Sequence, residues 1–112
     1  MEDLTFQLID SPPALVFAIR GDADSGQTDA LERELTAVAA RNPKHLVLDI
    51  SGLSFIGSSG MGHLMKLRSV VVRAGGKIFF AAPRPEIAEA FRRAGLHRAF
   101  VILPTVEESL RA

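Results

Sequence analysis

The sequence predicts an α/β domain with a mostly parallel five-stranded sheet and about four helices. Short apolar runs, typical of buried strands, alternate along the chain with longer segments whose apolar residues recur at helical spacing. A strand, a crossover helix and a second strand place the two strands parallel. A chain of 112 residues fits one such domain, residues 1–112, with helices packed against the sheet.

The first two strands are predicted to form a hairpin. Residues 4–9 alternate apolar and polar side chains, with Leu4, Phe6 and Leu8 on one face, as in a half-buried strand. Two prolines at positions 12 and 13 then favour a turn. Residues 14–19 are apolar throughout, as expected of a strand covered on both faces. We therefore expect an antiparallel N-terminal strand at one edge of the sheet.

The next two elements are predicted to form the first crossover. Residues 28–41 place Leu31, Leu35 and Val38 on one side of a helix and charged residues elsewhere. A proline soon afterwards ends this helix, because it cannot continue the hydrogen-bonding pattern. Residues 45–50 then predict a second buried strand, parallel to the strand before the helix.

The same alternation continues to the end of the chain. The remaining predicted elements are a helix over residues 59–74 that ends at Gly75, a strand over residues 77–82, a helix from Pro85 to Gly95, a strand over residues 99–103 and a terminal helix capped by Thr105. In the helix over residues 59–74 we expect Met61, Leu64, Met65, Val71 and Val72 to face the core.

Composition excludes several classes of function. Thirteen Lys plus Arg balance thirteen Asp plus Glu, so no overall positive field attracts nucleic acid or anionic lipid. The absence of cysteine excludes a disulfide framework, a thiolate metal site and a cysteine nucleophile. Because no apolar run approaches the roughly 20 residues that span a bilayer, and the N-terminus lacks the basic segment of a signal peptide, we expect a cytoplasmic protein without membrane insertion.

Residues 51–62 are the most unusual stretch, since glycines and serines meet at a predicted helix start. From the residues alone, the simplest interpretation is a tight turn in which Ser58 or Ser59 caps the helix. Catalytic motifs do not match the spacing. A phosphate-binding loop needs a lysine before its Ser or Thr, and a nucleophile elbow needs Gly-x-Ser-x-Gly. We therefore expect no enzymatic activity and no cofactor.

Three acidic residues offer a competing interpretation. Asp22, Asp24 and Asp49 lie near the predicted carboxyl ends of adjacent parallel strands, where they could converge on Mg²⁺ as in a phosphoaspartate receiver domain. Such receivers carry a lysine at the end of their last strand, whereas here that strand is followed by Pro104. Turn and cap roles suit Asp22 and Asp24 better, and we expect no metal site.

Several segments resemble the STAS family of bacterial anti-sigma factor antagonists. The resemblance rests on residues 21–24 before the first helix, on residues 48–62, on the double glycine at residues 75–76 and on residues 91–96 before the last strand. It extends over nearly the whole chain, and the pattern of residues 48–62 is fairly specific. It implies the fold described above and the function of a regulatory binding module.

The family resemblance implies a phosphorylation switch. In that family a serine at the start of the second helix is phosphorylated by a partner anti-sigma factor, which is a histidine-kinase-like ATPase. The unphosphorylated antagonist binds this factor, and a PP2C-type phosphatase restores binding after phosphorylation. Ser58 matches the phosphorylated serine, and Ser59 is the second candidate. Gly57 stands where the family usually has aspartate, so a carboxylate beside the serine is missing here.

The predicted partner-binding surface lies at one end of the sheet, where ligands of open α/β folds bind. Its residues are Asp22, Asp24, Ser25, Gly57, Ser58, Ser59, Gly60 and Met61. The alternative is a STAS scaffold or transport-associated subunit, as a component of a stressosome or of a lipid-transport ATPase. Such a subunit acts without phosphorylation, and Gly57 favours this alternative. Nucleotide binding beside Ser58 is a third hypothesis, because free amides at a helix start suit phosphate.

Overall fold

The strands form one five-stranded sheet in the order in which they occur along the chain. The computed structural model describes residues 3–24 and 26–112. The strands are β1 (Thr5–Ser11), β2 (Ala14–Ala23), β3 (His45–Ile56), β4 (Lys77–Ala81) and β5 (Ile102–Leu103). β1 pairs antiparallel with β2, and every other neighbouring pair is parallel. The predicted α/β class, with its antiparallel N-terminal edge strand, is confirmed.

Helices cover the two faces of the sheet unequally. They are α1 (Thr28–Ala39), α2 (Ser58–Arg73), α3 (Pro85–Arg93) and α4 (Val106–Arg111), with a 3₁₀ turn over Leu96–Arg98. Apolar side chains of α1, α2 and α3 form the main core with one face of the sheet. On the other face α4 covers a small cluster formed by Val16, Val47 and Ala81. No helix in residues 3–24 and 26–112 is long and apolar enough to cross a membrane.

Several predicted helix ends are confirmed by their hydrogen bonds and backbone angles. Gly75 and Gly95 follow α2 and α3 with positive φ angles of 85° and 78°, which glycine adopts at low cost. The Thr105 side chain caps α4 by accepting a hydrogen bond from the Glu108 amide at 3.0 Å. At the other end of this helix, His45 Nε2 lies 2.7 Å from the carbonyl oxygen of Ser109.

Three expectations about burial and strand length are wrong. Leu8, predicted to lie on the inward face of the first strand, is 39% exposed, because the edge strand packs against the core through Leu4 and Phe6. Val72, predicted to face the core, is 45% exposed, because the buried face of α2 follows Gly60, Leu64, Leu67 and Val71 and Val72 lies one residue beyond it. The last strand is shorter than predicted. The amides of Ala99 and Phe100 donate to the Leu96 carbonyl in the 3₁₀ turn and are not available to the sheet.

The third strand is longer than predicted and changes character along its length. It continues from residue 50 to Ile56, so half of the predicted turn is strand. β4 ends at Ala81, opposite Asp49, and beyond that point β3 pairs with β2 alone. Two shifts in register each place one additional residue in β3 relative to β2. We call this end of the β2–β3 pair, residues 20–23 of β2 and 52–56 of β3, the ribbon.

Candidate functional site

The ribbon fixes the position at which α2 begins. The amide of Gly57 donates a hydrogen bond to the carbonyl oxygen of Ala23 at 3.1 Å, which closes the ribbon at its tip. The Gly57 carbonyl then accepts from the Met61 amide at 3.0 Å in the first turn of the helix. Because both ribbon strands extend from the buried sheet, the start of α2 is held on a rigid support.

Ser58 and Ser59 are the first two residues of α2, and both are exposed. The expectation that one of them caps the helix is wrong, because the capping position belongs to Gly57, which has no side chain. Neither serine hydroxyl hydrogen-bonds to another group in the described part of the chain. The first-turn amides therefore lack a side-chain acceptor at the cap, and this end of the helix favours an added negative charge.

A cavity of about 290 Å³ lies at the tip of the ribbon and joins the turn after β2 to the start of α2. Its lining residues are Ala23, Asp24, Thr28, Phe55, Gly57, Ser58 and Ser59. The Asp24 carboxylate accepts a hydrogen bond from the Gly26 amide at 2.9 Å, which orders the turn. Four residues of the predicted docking surface thus share one cavity. Ser25, which also belongs to that prediction, lies outside the described residues.

The other predicted docking residues support this cavity from beneath or beside it. Asp22 is partly buried and accepts a hydrogen bond from the Ser54 hydroxyl across the ribbon. Gly60 is buried, and a Cβ atom there would lie 2.9 Å from Cγ1 of Ile56, so glycine permits close packing of α2 on the ribbon. Met61 is partly buried against the core. Partner binding by these residues stays a prediction.

The three acidic residues considered for Mg²⁺ each have a neighbour of their own. Asp49 accepts hydrogen bonds from the Ser51 amide at 3.1 Å and from the Ser51 hydroxyl at 2.7 Å. Asp22 and Asp24 bind other groups, as described above. Across residues 3–24 and 26–112, no group of three or more His, Cys, Asp or Glu side chains is arranged to hold a metal ion.

Comparison with known proteins identifies the family. The model of the STAS domain matches residues 5–109. The chain belongs to the STAS domain family. It is 27% identical over 109 residues to the anti-sigma-F factor antagonist RsfB of Mycobacterium tuberculosis, and the match covers 97% of this chain and 88% of RsfB.

Solved structures of STAS domains agree with this assignment. An anti-sigma factor antagonist from Mycobacterium paratuberculosis superposes with a TM-score of 0.89 at 28% identity, over 97% of this chain and 92% of that one. The fold is also shared with SpoIIAA, a Bacillus cell fate determinant solved in the phosphorylated form. That match has a TM-score of 0.71 at 20% identity and covers 96% of this chain and 97% of SpoIIAA.

Gly57 of this STAS domain is not required by the backbone. Its φ and ψ angles, −91° and 178°, are extended values that any residue adopts. A Cβ atom there would meet Cε2 of Phe55 at 3.8 Å and the Ala23 carbonyl oxygen at 4.0 Å, which are ordinary contacts. The site therefore has room for the first side-chain atom of a larger residue beside Ser58, and glycine leaves that space empty.

Phe55 is a feature of this STAS domain to which the sequence analysis assigns no role. Its side chain is 50% exposed at the tip of the ribbon. The residues of β3 that face the main core are spaced by two at Leu46, Leu48 and Ile50, and then by three at Leu53 and Ile56. The register shift between Gly21 and Asp22 adds the residue that turns Phe55 outward. The signal in the sequence is the adjacency of two large apolar residues, since neighbours on a strand face opposite sides.

Helix α3 carries four charged side chains near this end of the sheet, of which Glu86 and Arg93 line the same cavity as Phe55. Arg92 donates to the carboxylate of Glu89 with an Nε–Oε2 distance of 2.9 Å. This hydrogen bond, with the positive charges of Arg92 and Arg93, holds the pKa of the exposed Glu89 carboxyl below its ordinary value. Glu86 and Arg93 form no ion pair within the described ranges, and both charges remain available at the surface of the STAS domain.

Proposed function

We propose that this STAS domain is an anti-sigma factor antagonist that binds an anti-sigma factor of the histidine-kinase-like ATPase type. Binding occurs while Ser58 carries no phosphate. The partner transfers the γ-phosphoryl group of ATP to the Ser58 oxygen, which loses its proton, and ADP is released. The modified chain dissociates, and a PP2C-type phosphatase hydrolyses the phosphate ester. The observation that carries the proposal is the exposure of Ser58. This serine is the first residue of α2, at the tip of the ribbon.

The relatives support this proposal. RsfB and the Mycobacterium paratuberculosis protein are both named anti-sigma factor antagonists, and each matches more than nine tenths of this chain. SpoIIAA has the same fold and has been solved with phosphate attached.

The position of Ser58 allows phosphorylation without unfolding. A phosphate adds about −1.5 to −2 charges. At a helix start these charges are stabilised by roughly 0.3–1 kcal/mol through the free amides and the helix dipole. In an interface the same charge lacks a partner and costs several kcal/mol. A hundredfold loss of affinity requires only about 2.7 kcal/mol, so the switch acts on binding and leaves the fold intact.

The binding half of the proposal is tested with Ser58→Asp. We expect this variant to keep its melting temperature and to bind the partner at least a hundredfold more weakly, measured by isothermal titration calorimetry with each anti-sigma factor kinase of the source genome. Ser58→Ala is the matched control, because it removes the hydroxyl without adding charge and is expected to bind like the unmodified chain. Equal binding by Ser58→Asp and the unmodified chain would contradict the switch.

The phosphorylation half is tested by intact-protein mass spectrometry after incubation with the kinase and ATP. We expect one phosphate on the unmodified chain and on Ser59→Ala, and none on Ser58→Ala. Phosphate on Ser58→Ala but not on Ser59→Ala would move the switch to the second serine. An unmodified chain that binds the kinase and accepts no phosphate would leave an antagonist without a switch.

Gly57 favours a second candidate function. The missing carboxylate beside Ser58 suits a STAS domain that packs constitutively against a neighbour, as a scaffold or as a small subunit of a transport ATPase. Size-exclusion chromatography of the native protein with mass spectrometry distinguishes the two. A stoichiometric transport ATPase or a megadalton assembly would support the scaffold, whereas a soluble kinase dimer would support the antagonist.

A further inference from the structure

A second cavity lies next to the cavity that Ser58 lines, on the side that faces α3. It measures about 490 Å³ and lies between the ribbon, the start of α2 and one face of α3. Phe55 and Met61 form one wall, and Glu86, Ala90, Arg93 and Ala94 form the other. We call it the α3 cleft. Small alanine side chains on α3 keep it open.

Phe55 connects the α3 cleft to the cavity at the tip of the ribbon that Ser58 lines, because Phe55 lines both. Burial of an exposed aromatic ring is strongly favourable, and aromatic side chains at the centre of an interface supply much of its binding free energy. A register shift between β2 and β3 directly precedes Phe55 and turns this ring outward. Bulges of this kind re-aim side chains next to functional sites.

The edges of the α3 cleft have the polar character of an interface rim. Glu86 and Arg93 are exposed and have no ion-pair partner in the part of the chain that the structure describes, whereas the neighbouring charges Glu89 and Arg92 neutralise each other. An apolar centre with a charged rim is the usual anatomy of a protein–protein contact. Opposite charges at Glu86 and Arg93, neither in an ion pair within the described residues, suit a protein surface that carries both signs.

We propose that the anti-sigma factor contacts this chain at two adjacent places, with an apolar side chain of the factor inserted into the α3 cleft against Phe55. This inference rests on the function proposed above and adds a second contact to it. The α3 cleft then supplies affinity that does not depend on phosphorylation, while Ser58 supplies the switch. Tight binding then requires the exposed ring of Phe55 and the absence of a negative charge at position 58.

Two substitutions test the α3 cleft, each with a matched control. Phe55→Ala removes the anchor, and Val101→Ala is its control because Val101 is 51% exposed and lines neither cavity. Ala94→Arg fills the α3 cleft. Ala74→Arg is its control, since both alanines are exposed helix C-caps with nearly the same backbone angles.

We expect Phe55→Ala and Ala94→Arg to weaken binding to the anti-sigma factor kinase at least tenfold in calorimetry. Both controls should stay within about twofold of the unmodified chain, and all four variants should keep its melting temperature within a few degrees. Normal binding by folded Phe55→Ala and Ala94→Arg, together with lost binding by Ser58→Asp, would overturn the α3 cleft and leave the proposed function intact. An unmodified chain that binds none of the kinases would overturn both.

A different occupant of the α3 cleft would give a different set of binding and sedimentation results. If the α3 cleft held a second copy of this chain, sedimentation equilibrium would show a dimer that Ala94→Arg dissociates and Ala74→Arg does not, with kinase binding unchanged. That result would also overturn the inference.

Discussion

The two halves of β3 show how one strand serves two purposes. Residues 45–50 lie between β2 and β4, and Leu46, Leu48 and Ile50 are fully buried. Residues 51–56 have β2 as their strand neighbour, pass through the shifts in register and expose Phe55. Hydrogen bonding to strands on both sides and packing on both faces fix the conformation of the first half. The second half gives up one paired edge, and side chains that would otherwise be buried become available at the tip.

The difference between these halves explains why a binding site can lie on a strand. A site needs its side chains held in place, and elements of the core hold them better than a free loop does. The ribbon continues directly from the buried half of β3, and the bond from the Gly57 amide to the Ala23 carbonyl closes it. The site is therefore rigid because one side of the ribbon, through Leu53 and Ile56, belongs to the core.

The largest predicted difference in stability is between a substitution in the first half of β3 and one in its second half. Leu48→Ala removes a fully buried side chain and should lower the free energy of unfolding by about 3 kcal/mol, since it leaves a cavity in a closely packed core. Phe55→Ala should lower it by less than about 1 kcal/mol, because the ring is half exposed. Urea denaturation measures both. If Phe55→Ala were as destabilising as Leu48→Ala, the Phe55 side chain would contribute to the core and would not be an exposed binding residue.

A smaller effect should distinguish two glycines of α2. Gly60→Ala places a Cβ atom 2.9 Å from Cγ1 of Ile56 and should cost about 1 kcal/mol, because overpacking exceeds the gain in helix propensity. Gly62→Ala has no neighbour within 4 Å of its Cβ position and should stabilise the helix by roughly 0.5–1 kcal/mol. The opposite signs, measured by thermal unfolding, are the test. Stabilisation by both would show that α2 is not seated tightly on the ribbon.

The sequence predicts those elements whose neighbours do not alter their pattern. The spacing of Leu31, Leu35 and Val38 predicts the buried face of α1, and all three are buried. The alternation in the first hairpin and the glycines that end α2 and α3 are equally local signals. Ser58 was found because its motif is local as well, although its role as a phosphorylated residue is still a prediction.

The second half of β3 could not be predicted because its structure depends on β2. Residues 51–56 contain glycine and two serines, which locally favour a turn. Pairing with β2 overrides that preference, and the shifts in register change which side chains face the core. The adjacency of Phe55 and Ile56 indicates that one of the two faces outward, but pairing with β2 decides that it is Phe55. The start of α2 is similar, because the hydrogen bond to Ala23 fixes Gly57, and not a serine, at the cap.

The smallest effect concerns Gly57. Gly57→Asp should raise the free energy of unfolding by a few tenths of a kcal/mol, because the backbone already has the extended conformation of a capping residue and Asp can accept hydrogen bonds from the first-turn amides. Gly57→Ala is the control and should be slightly destabilising, since it offers no acceptor. The gain from Asp requires the ionised carboxylate, so it should be present at neutral pH and lost as the pH falls through the carboxyl pKa.

The same variant sharpens the functional part of the comparison. Gly57→Asp and Ser58→Asp add the same charge at neighbouring positions of the ribbon tip. If the partner reads the Ser58 position itself, Gly57→Asp should bind within about threefold of the unmodified chain, while Ser58→Asp loses binding at least a hundredfold. Calorimetry on the two variants gives the ratio directly. Equal losses would mean that the partner responds to the total charge of the tip, and a charge at position 58 would then have no special effect on binding.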